Sequence, residues 1–267
     1  MLTNYHTHTT FCDGKGTPEQ VVLSAIKEGF DAIGFSGHGY TEYDLRYCMK
    51  DVAGYIREVV RLREKYKEKI EIYLGIEEDS RHINNRADFD YIIGSCHYVT
   101  DKNGTPSPVD SNIDYFKKGL SFFGGDPLAL AEQYYSHFTD YILKWKPDII
   151  GHFDLVTKFE EKEESLFLEN EGYWKIAEAY AEKALLAGSF FEINTGLITR
   201  GYRTSPCPHG RLLRIIHRCG GGVVLSSDSH SPDTLSAYFD EAKSILRDIG
   251  FKHTFALIKG KWVKDYI

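Results

Sequence analysis

The first fourteen residues contain a pattern that could chelate a metal ion. His6 and His8 stand two apart at the end of a short alternating run from residue 2 to residue 6, which predicts a β-strand. Residues two apart on a strand project from the same face, so the two imidazoles would lie side by side. Asp13 follows after a turn closed by Gly14 and adds a carboxylate oxygen. Two imidazole nitrogens and an oxygen suit zinc, iron or manganese, although two exposed loop histidines would show the same spacing.

Further histidines and carboxylates recur along the chain at one kind of position. Each comes at or just past the carboxyl end of a short apolar run that predicts a strand. Any one of them could be an ordinary capping or core residue, but their shared placement is improbable by chance. The residues at these predicted strand ends are His6, His8, His38, Glu77, His97, His152, Asp228 and His230.

Strand and helix patterns alternate over the whole length, which predicts a parallel α/β sheet. About seven such units favour closure into a barrel, where the carboxyl ends of the strands form one face and active sites are assembled. An open doubly wound sheet is the alternative, but it usually carries a glycine-rich phosphate loop, which is not seen here. We therefore predict one domain over residues 1–267, with the Gly-, Pro-, Ser- and Asp-rich stretch 100–125 as an insertion near the active-site face.

Local signals predict several individual elements. Thr17, Pro18 and Gln20 predict an N-cap, a first helical residue and a capping box for a helix that reaches about Glu28. A third strand is predicted over residues 70–75, directly before Glu77. A small hairpin is expected at the end of the chain, around residue 260.

Composition narrows the classes of partner. The 267 residues are 42% hydrophobic and 27% charged, as in ordinary globular proteins, and the net charge of -7 argues against binding of long nucleic acid. There is no apolar run of ~18 residues and no basic segment followed by an apolar one at the start, so we expect a cytoplasmic protein that does not contact membranes. The five cysteines share no paired spacing, and we expect them to be reduced packing residues.

The number of donors predicts more than one ion. With Asp13, the eight strand-end residues make nine donors, which exceed what one tetrahedral metal can use. We predict two to three divalent transition-metal ions, Zn, Fe or Mn, that share a bridging carboxylate.

These motifs resemble, in order and spacing, those of the polymerase and histidinol phosphatase (PHP) family over nearly the whole chain. The matching stretches are His6-x-His8 with Asp13-Gly14, Gly37-His38, Gly75-Ile76-Glu77, Gly94-Ser95-Cys96-His97, Gly151-His152-Phe153-Asp154 and Ser227-Asp228-Ser229-His230. Within the family, Val109-Asp110, Gly125-Asp126 and residues 154–159 resemble the branch that hydrolyses L-histidinol phosphate in histidine biosynthesis.

The resemblance implies a distorted (β/α)7 TIM-like barrel with a trinuclear metal site. One ion would be held by His6, His8, Glu77 and Asp228, a second by Glu77, His97 and His152, and a third by Asp13, His38 and His230. It also implies phosphomonoester hydrolysis by a metal-bridging hydroxide, with Glu77, Asp228 and His230 at the catalytic centre. Three divalent ions with three carboxylates and one hydroxide would leave a charge of about +2, which matches a phosphate monoester dianion.

Cationic side chains near the same face are candidates for binding the phosphate of a small phosphorylated substrate. They are Arg200, Arg203 and Lys158. Part of the family has an arginine where this chain has Thr157-Lys158. Asp154 and Asn194 are expected to orient ligand histidines. The acidic stretch around Asp110 and Asp114 is expected to meet the substrate's ammonium group.

Three other functions fit parts of the pattern. A PHP-family phosphoesterase could act on a nucleotide or another small phosphate ester. A metal-dependent amidohydrolase also opens with His-x-His, but commonly uses a lysine as the bridge where this chain has Glu77. A catalytically silent metal-binding module would be expected to have lost ligands, and none is missing from the pattern.

Overall fold

A computed structural model describes residues 1–163 and 165–267 of the chain. The helices within these residues are α1 (Pro18–Glu28), α2 (Val52–Tyr66), α3 (Ile113–Ser121), α4 (Pro127–Trp145), α5 (Glu171–Ala184), α6 (Gly196–Thr199), α7 (Gly210–Arg218) and α8 (Phe239–Ile249). The strands are β1 (Thr3–Asn4), β2 (Ala32–Phe35), β3 (Glu71–Asp79), β4 (Tyr91–Ser95), β5 (Tyr98–Thr100), β6 (Pro106–Pro108), β7 (Ile149–Ile150), β8 (Phe190–Asn194), β9 (Val223–Ser226), β10 (His253–Ile258) and β11 (Lys261–Tyr266).

Within the described ranges, seven parallel strands form the central sheet in the order β1-β2-β3-β4-β7-β8-β9. The two edges approach each other just past their strand ends, where the His8 N–H donates to the Ser229 carbonyl at 2.8 Å and the Ser229 N–H donates to the His6 carbonyl at 3.1 Å. The sheet is therefore a nearly closed barrel, and the predicted seven-stranded α/β barrel is confirmed. All the strand ends that carry candidate donors point to one face.

Helices cover the outside of the barrel through their apolar faces. On one side Val22 of α1 and Val59 and Leu62 of α2 pack with Ile33 of β2 in one buried cluster. The predicted capping box is confirmed, because the Gln20 N–H donates to the Thr17 side chain at 3.2 Å and the Thr17 N–H donates back to the Gln20 side chain at 2.8 Å.

The opposite end of the barrel is closed by the antiparallel hairpin β10–β11. Tyr5 points into this end, where its hydroxyl donates to the Leu257 carbonyl and accepts from the Leu257 N–H, both at 2.8 Å. The predicted terminal hairpin is confirmed.

One prediction of local structure needs correction. The third strand runs to Asp79 and not to residue 75, because residues 75–79 pair with residues 91–95 of β4. Glu77 is therefore a residue of the strand itself. The stretch 100–125 contains part of the β5–β6 hairpin and the helix α3.

Across the described part of the chain, no helix is both long enough and apolar enough to cross a membrane. The five cysteines are unpaired.

Candidate metal centre

The structure brings all nine predicted donors together at the carboxyl face of the barrel. His6 and His8 follow β1, His38 follows β2 and Glu77 lies in β3. The others come from the connections after β1, β4, β7 and β9, and are Asp13, His97, His152, Asp228 and His230. Their donor atoms form four overlapping groups, and within each group all the atoms lie within 4.8 Å of one another.

The Glu77 carboxylate lies between two sets of imidazoles. Its Oε2 is 2.8 Å from His38 Nδ1 and 3.2 Å from His6 Nε2. Its Oε1 is 2.9 Å from His152 Nε2 and 3.3 Å from His97 Nε2. Oε2 also lies 3.6 Å from His8 Nε2, so each oxygen faces its own set of nitrogens, which is the arrangement that a bridging carboxylate requires.

Two other carboxylates face the remaining nitrogens. Asp228 Oδ1 is 3.1 Å from His8 Nε2, and Asp13 Oδ2 is 3.3 Å from His230 Nε2. Asp13 Oδ1 lies 3.6 Å from the other ring nitrogen of His8 and 3.7 Å from His38 Nε2. The two ring nitrogens of His8 thus face different carboxylates, Nδ1 facing Asp13 and Nε2 facing Asp228.

The donor set fits divalent metal ions. His6 Nε2, His8 Nε2 and Glu77 Oε2 are buried and have no hydrogen-bond partner within the described residues, a costly arrangement unless something else satisfies them. Two ligands at about 2 Å from a shared tetrahedral ion lie about 3.3 Å apart. The separations around Glu77, Asp228 and Asp13 cluster near this value, and nitrogen mixed with oxygen suits zinc, iron or manganese.

The electrostatics hold His8 neutral and Glu77 ionised, whereas, against the effect of burial, the carboxylates Glu192, Glu77, Asp228, Asp13 and Asp79 raise the pKa values of His6, His38 and His97. Burial, together with the nearby His230 and His38 rings, lowers the pKa of His8 to about 3, so this imidazole is neutral. Burial alone would raise the pKa of Glu77, but His38, His6 and His97 outweigh it and hold that pKa well below its usual range. Neutral imidazoles and ionised carboxylates are the ligand forms.

Two buried carboxylates that the sequence analysis did not identify contact the Nδ1 atoms of donor histidines. Glu192, whose side chain is 0% exposed, places Oε1 at 2.5 Å from His6 Nδ1 and accepts the His152 backbone N–H on Oε2 at 2.8 Å. Asp79 lies 3.2 Å from His97 Nδ1. Such partners fix the orientation and tautomer of a ligand histidine.

Within the described residues, neither of the two residues expected to orient ligand histidines bonds such a ring directly, but Asn194 supports the donor set through two carboxylates. The Asn194 side-chain amide donates to Glu192 at 3.0 Å and to Asp228 at 3.3 Å. Asp154 instead accepts the backbone N–H of His209 at 2.8 Å, at the start of α7. Asp154 therefore supports a helix start and not a ligand histidine, as far as the described residues show.

Arg200 lies at the rim beside the carboxylates. Its guanidinium donates to the Asp228 side chain at 2.8 Å and to the Asp228 carbonyl at 2.9 Å. Asp228 has a φ of 48°, in the left-handed region that non-glycine residues seldom adopt. Arg200 therefore helps to hold Asp228 in the conformation that aims its carboxylate at His8.

The other two cations differ in their placement. Lys158 lines the same cavity, where its ammonium donates to the Asp110 carbonyl and lies 4.4 Å from the centre of the Tyr202 ring. Arg203 lies outside the cavity lining, with its guanidinium on Thr157 Oγ1 at 2.6 Å and on Glu161 at 3.2 Å. The structure thus brings Lys158 and Arg200 to the site but not Arg203.

The donors open into a cavity of about 460 Å³. Its wall also includes Tyr47 and Tyr98, and the segment from β6 onward contributes Pro108, Asp110 and Ser111. The cavity is large enough for a small molecule with one group at the donors and another at this wall.

Comparisons with known proteins agree with the arrangement. A sequence model of the PHP domain matches residues 4–196. A probable histidinol-phosphatase of Schizosaccharomyces pombe is 29% identical over 284 aligned residues, which cover 97% of this chain and 90% of that protein. The histidinol-phosphatase of Lactococcus lactis subsp. lactis is 27% identical over 274 residues, which cover 96% of this chain and 94% of that protein.

The fold is also found among solved structures. The crystal structure of a histidinol phosphate phosphatase from Lactococcus lactis, complexed with Zn, L-histidinol and phosphate, matches with a TM-score of 0.71 at 20% identity. The match covers 98% of this chain and 99% of that chain. The barrel described above is therefore a known fold.

Proposed function

The chain belongs to the PHP family, and we propose that it is a metal-dependent phosphomonoesterase that hydrolyses L-histidinol phosphate to L-histidinol and phosphate. The observation that carries the proposal is the convergence of nine metal donors at one face of the barrel, where seven of them line a small cavity together with the cations Arg200 and Lys158. The relatives named histidinol-phosphatase, which match over nearly the full length of the chain, support the choice of substrate.

The nine donors would hold two to three ions of zinc, iron or manganese, with Glu77 shared between two of them. When bound, divalent ions would acidify water for attack on phosphorus and neutralise charge on the phosphoryl oxygens. The protein's part is to fix the donors before substrate arrives. Glu192, Asp79 and Asn194 hold His6, His97 and Asp228 in place through hydrogen bonds.

His230 is oriented by its neighbours. Its Nδ1 lies 3.1 Å from the Asp228 carbonyl, which would accept a hydrogen bond from a proton on this nitrogen. Nε2, which faces Asp13 at 3.3 Å, then keeps its lone pair free for a metal. We propose Glu77, Asp228 and His230 as catalytic ligands, and all three line the cavity.

The phosphate would be bound between these ligands and the two cations. Arg200 presents a planar guanidinium, which suits the geometry of phosphate oxygens, and Lys158 adds a second positive charge at the rim. Both are already held by protein partners, so they lose little freedom when substrate binds.

A substrate panel tests the proposal against its rivals. The metal-loaded protein is assayed with L-histidinol phosphate, a nucleoside 5'-monophosphate, p-nitrophenyl phosphate and an N-acyl amino acid. We expect the highest kcat/KM with L-histidinol phosphate and no cleavage of the amide. A higher kcat/KM with the nucleotide would assign the site to a different phosphate ester, and amide cleavage in place of phosphate release would assign it to amidohydrolase chemistry.

A further inference from the structure

The cavity contains one carboxylate that neither belongs to the metal centre nor pairs with another described side chain. Five carboxylates line it, and three of them, Asp13, Glu77 and Asp228, face imidazoles of the donor set. Asp44 binds the Arg46 guanidinium through Nε at 2.8 Å and Nη2 at 2.6 Å. Asp110 remains, and across residues 1–163 and 165–267 its carboxylate has neither a hydrogen bond nor an ion pair, although it is half-buried.

The backbone around Asp110 is fixed beside the metal centre. The Val109 N–H donates to the carbonyl of the donor residue His97 at 2.9 Å. The Asp110 carbonyl accepts the ammonium of Lys158. Burial lowers the pKa of Lys158, and the Asp110 charge opposes that effect. The Asp110 carboxylate therefore lies next to the proposed phosphate site but does not form an ion pair with the Lys158 ammonium there.

The surroundings of Asp110 suit a cation with an apolar body. Tyr47 and Tyr98 line the same part of the cavity and are joined by a 2.9 Å hydrogen bond between their hydroxyls. The Tyr47 ring also packs against the His38 ring, with centroids 4.7 Å apart, so its position is fixed by the metal centre. Aromatic walls beside an anion favour an organic ammonium, whereas a second anionic group would be repelled there.

We propose that Asp110 determines specificity in this cavity, by receiving the primary ammonium of a phosphorylated amino alcohol while Tyr47 and Tyr98 enclose its carbon skeleton. The proposal rests on the proposed function, because it takes the phosphate to lie at the metal end. It assigns Asp110 and not its neighbour Asp114, which is exposed in the first turn of α3 and lies outside the cavity lining.

Two esters that differ only in the amine test the proposal. They are L-histidinol phosphate and 3-(imidazol-4-yl)propyl phosphate, assayed with the wild-type protein, Asp110→Asn and Asp114→Asn. Asp110→Asn removes the charge but keeps the backbone carbonyl that Lys158 binds. A charge-assisted contact of this kind is worth roughly a tenfold to hundredfold factor, so the preference for the amino ester in kcat/KM should fall by that amount. Asp114→Asn should keep the wild-type preference.

The outcomes separate this inference from the proposed function. If the wild-type protein hydrolyses L-histidinol phosphate and Asp110→Asn keeps the full preference, the ammonium site is overturned and the phosphatase stands. If the wild-type protein hydrolyses neither ester, the phosphatase is overturned. Calorimetric titration with L-histidinol and with 3-(imidazol-4-yl)propanol then decides on Asp110, because binding needs no turnover. If the wild-type protein and Asp110→Asn show the same preference for L-histidinol over 3-(imidazol-4-yl)propanol, the ammonium site at Asp110 is overturned in that assay also.

Discussion

At the scale of single residues, the candidate metal centre depends on carboxylates that bind the donor histidines through the ring nitrogen opposite Glu77. Glu192 uses both of its oxygens as acceptors, one for His6 Nδ1 and one for the His152 backbone N–H. Its position in β8 therefore ties together donors that follow β1 and β7. This contact fixes the orientation of the His6 ring, and it therefore directs His6 Nε2 toward Glu77.

Glu192→Gln should weaken metal binding by roughly tenfold to a hundredfold. Glutamine has the same shape but only one acceptor oxygen, so it cannot accept from His6 and His152 together. The affinity is measured by competition with a chromophoric chelator, and the metal content by elemental analysis.

Glu78→Gln is the matched control. Glu78 is also buried, and its oxygens accept from the Tyr141 hydroxyl and the Asn84 N–H, both at 2.6 Å, but within the described residues its carboxylate forms no hydrogen bond or ion pair with a donor of the metal centre. It should lose stability and keep its metal affinity. Equal losses of affinity in the two variants would mean that the metals respond to general destabilisation and not to the orientation of His6.

The sequence was sufficient to find the nine donors, because each repeats the same placement at a strand end. It was not sufficient to find Glu192 or Asp79, since each lies within a strand where alternation alone does not show what the side chain contacts. Arg200 and Arg203 are close in sequence and identical in type. Only the path of the loop decides that the first meets Asp228 and the second meets Thr157.

At the scale of elements, the barrel is held by close packing inside the sheet. The Tyr91 side chain extends from β4 beneath β3 and β2, and its hydroxyl donates to the Tyr5 carbonyl at 2.6 Å. Gly75 and Gly34 provide the space for it. A Cβ added at Gly75 would lie 2.2 Å from a Tyr91 ring carbon, and one added at Gly34 would lie 2.4 Å from the Tyr91 hydroxyl.

Gly75→Ala should lower the free energy of unfolding by about 1 to 3 kcal/mol, because the buried Tyr91 ring has to shift within a packed interior. Urea denaturation measures the change. Gly210→Ala, which adds the same methyl group where no atom lies within 4 Å at the start of α7, serves as the control and should be neutral or stabilising. A Gly75→Ala variant as stable as the control would contradict this account, because it would show that the Tyr91 ring can move aside at no cost.

Elements defined by local signals were predictable, and those defined by a distant partner were not. The capping box of α1 and the hairpin β10–β11 lie within short stretches of sequence. The end of β3 was not predictable, because Glu77, Glu78 and Asp79 read as a polar loop until β4 pairs with them. The β5–β6 hairpin likewise depends on packing beneath α3, where the Ser107 hydroxyl donates to the Tyr115 carbonyl at 2.8 Å.

At the scale of the whole molecule, the metal centre joins distant parts of the chain. Its donors run from His6 to His230 and follow or belong to β1, β2, β3, β4, β7 and β9. Ions that bind the folded barrel in preference to the unfolded chain stabilise the fold by mass action. Purified protein should carry two to three equivalents of transition metal, and chelation should lower its melting temperature.

Phosphate release from L-histidinol phosphate, measured on one preparation before chelation, after chelation and after metal is restored, tests the central claim most directly. Release should be lost with the metal and should return as zinc or manganese is added back, reaching its full rate at two to three equivalents per chain. Circular dichroism on the same samples confirms that the metal-free protein remains folded. Unchanged release by a folded, metal-free protein, or no release by the fully reloaded one, would contradict the account.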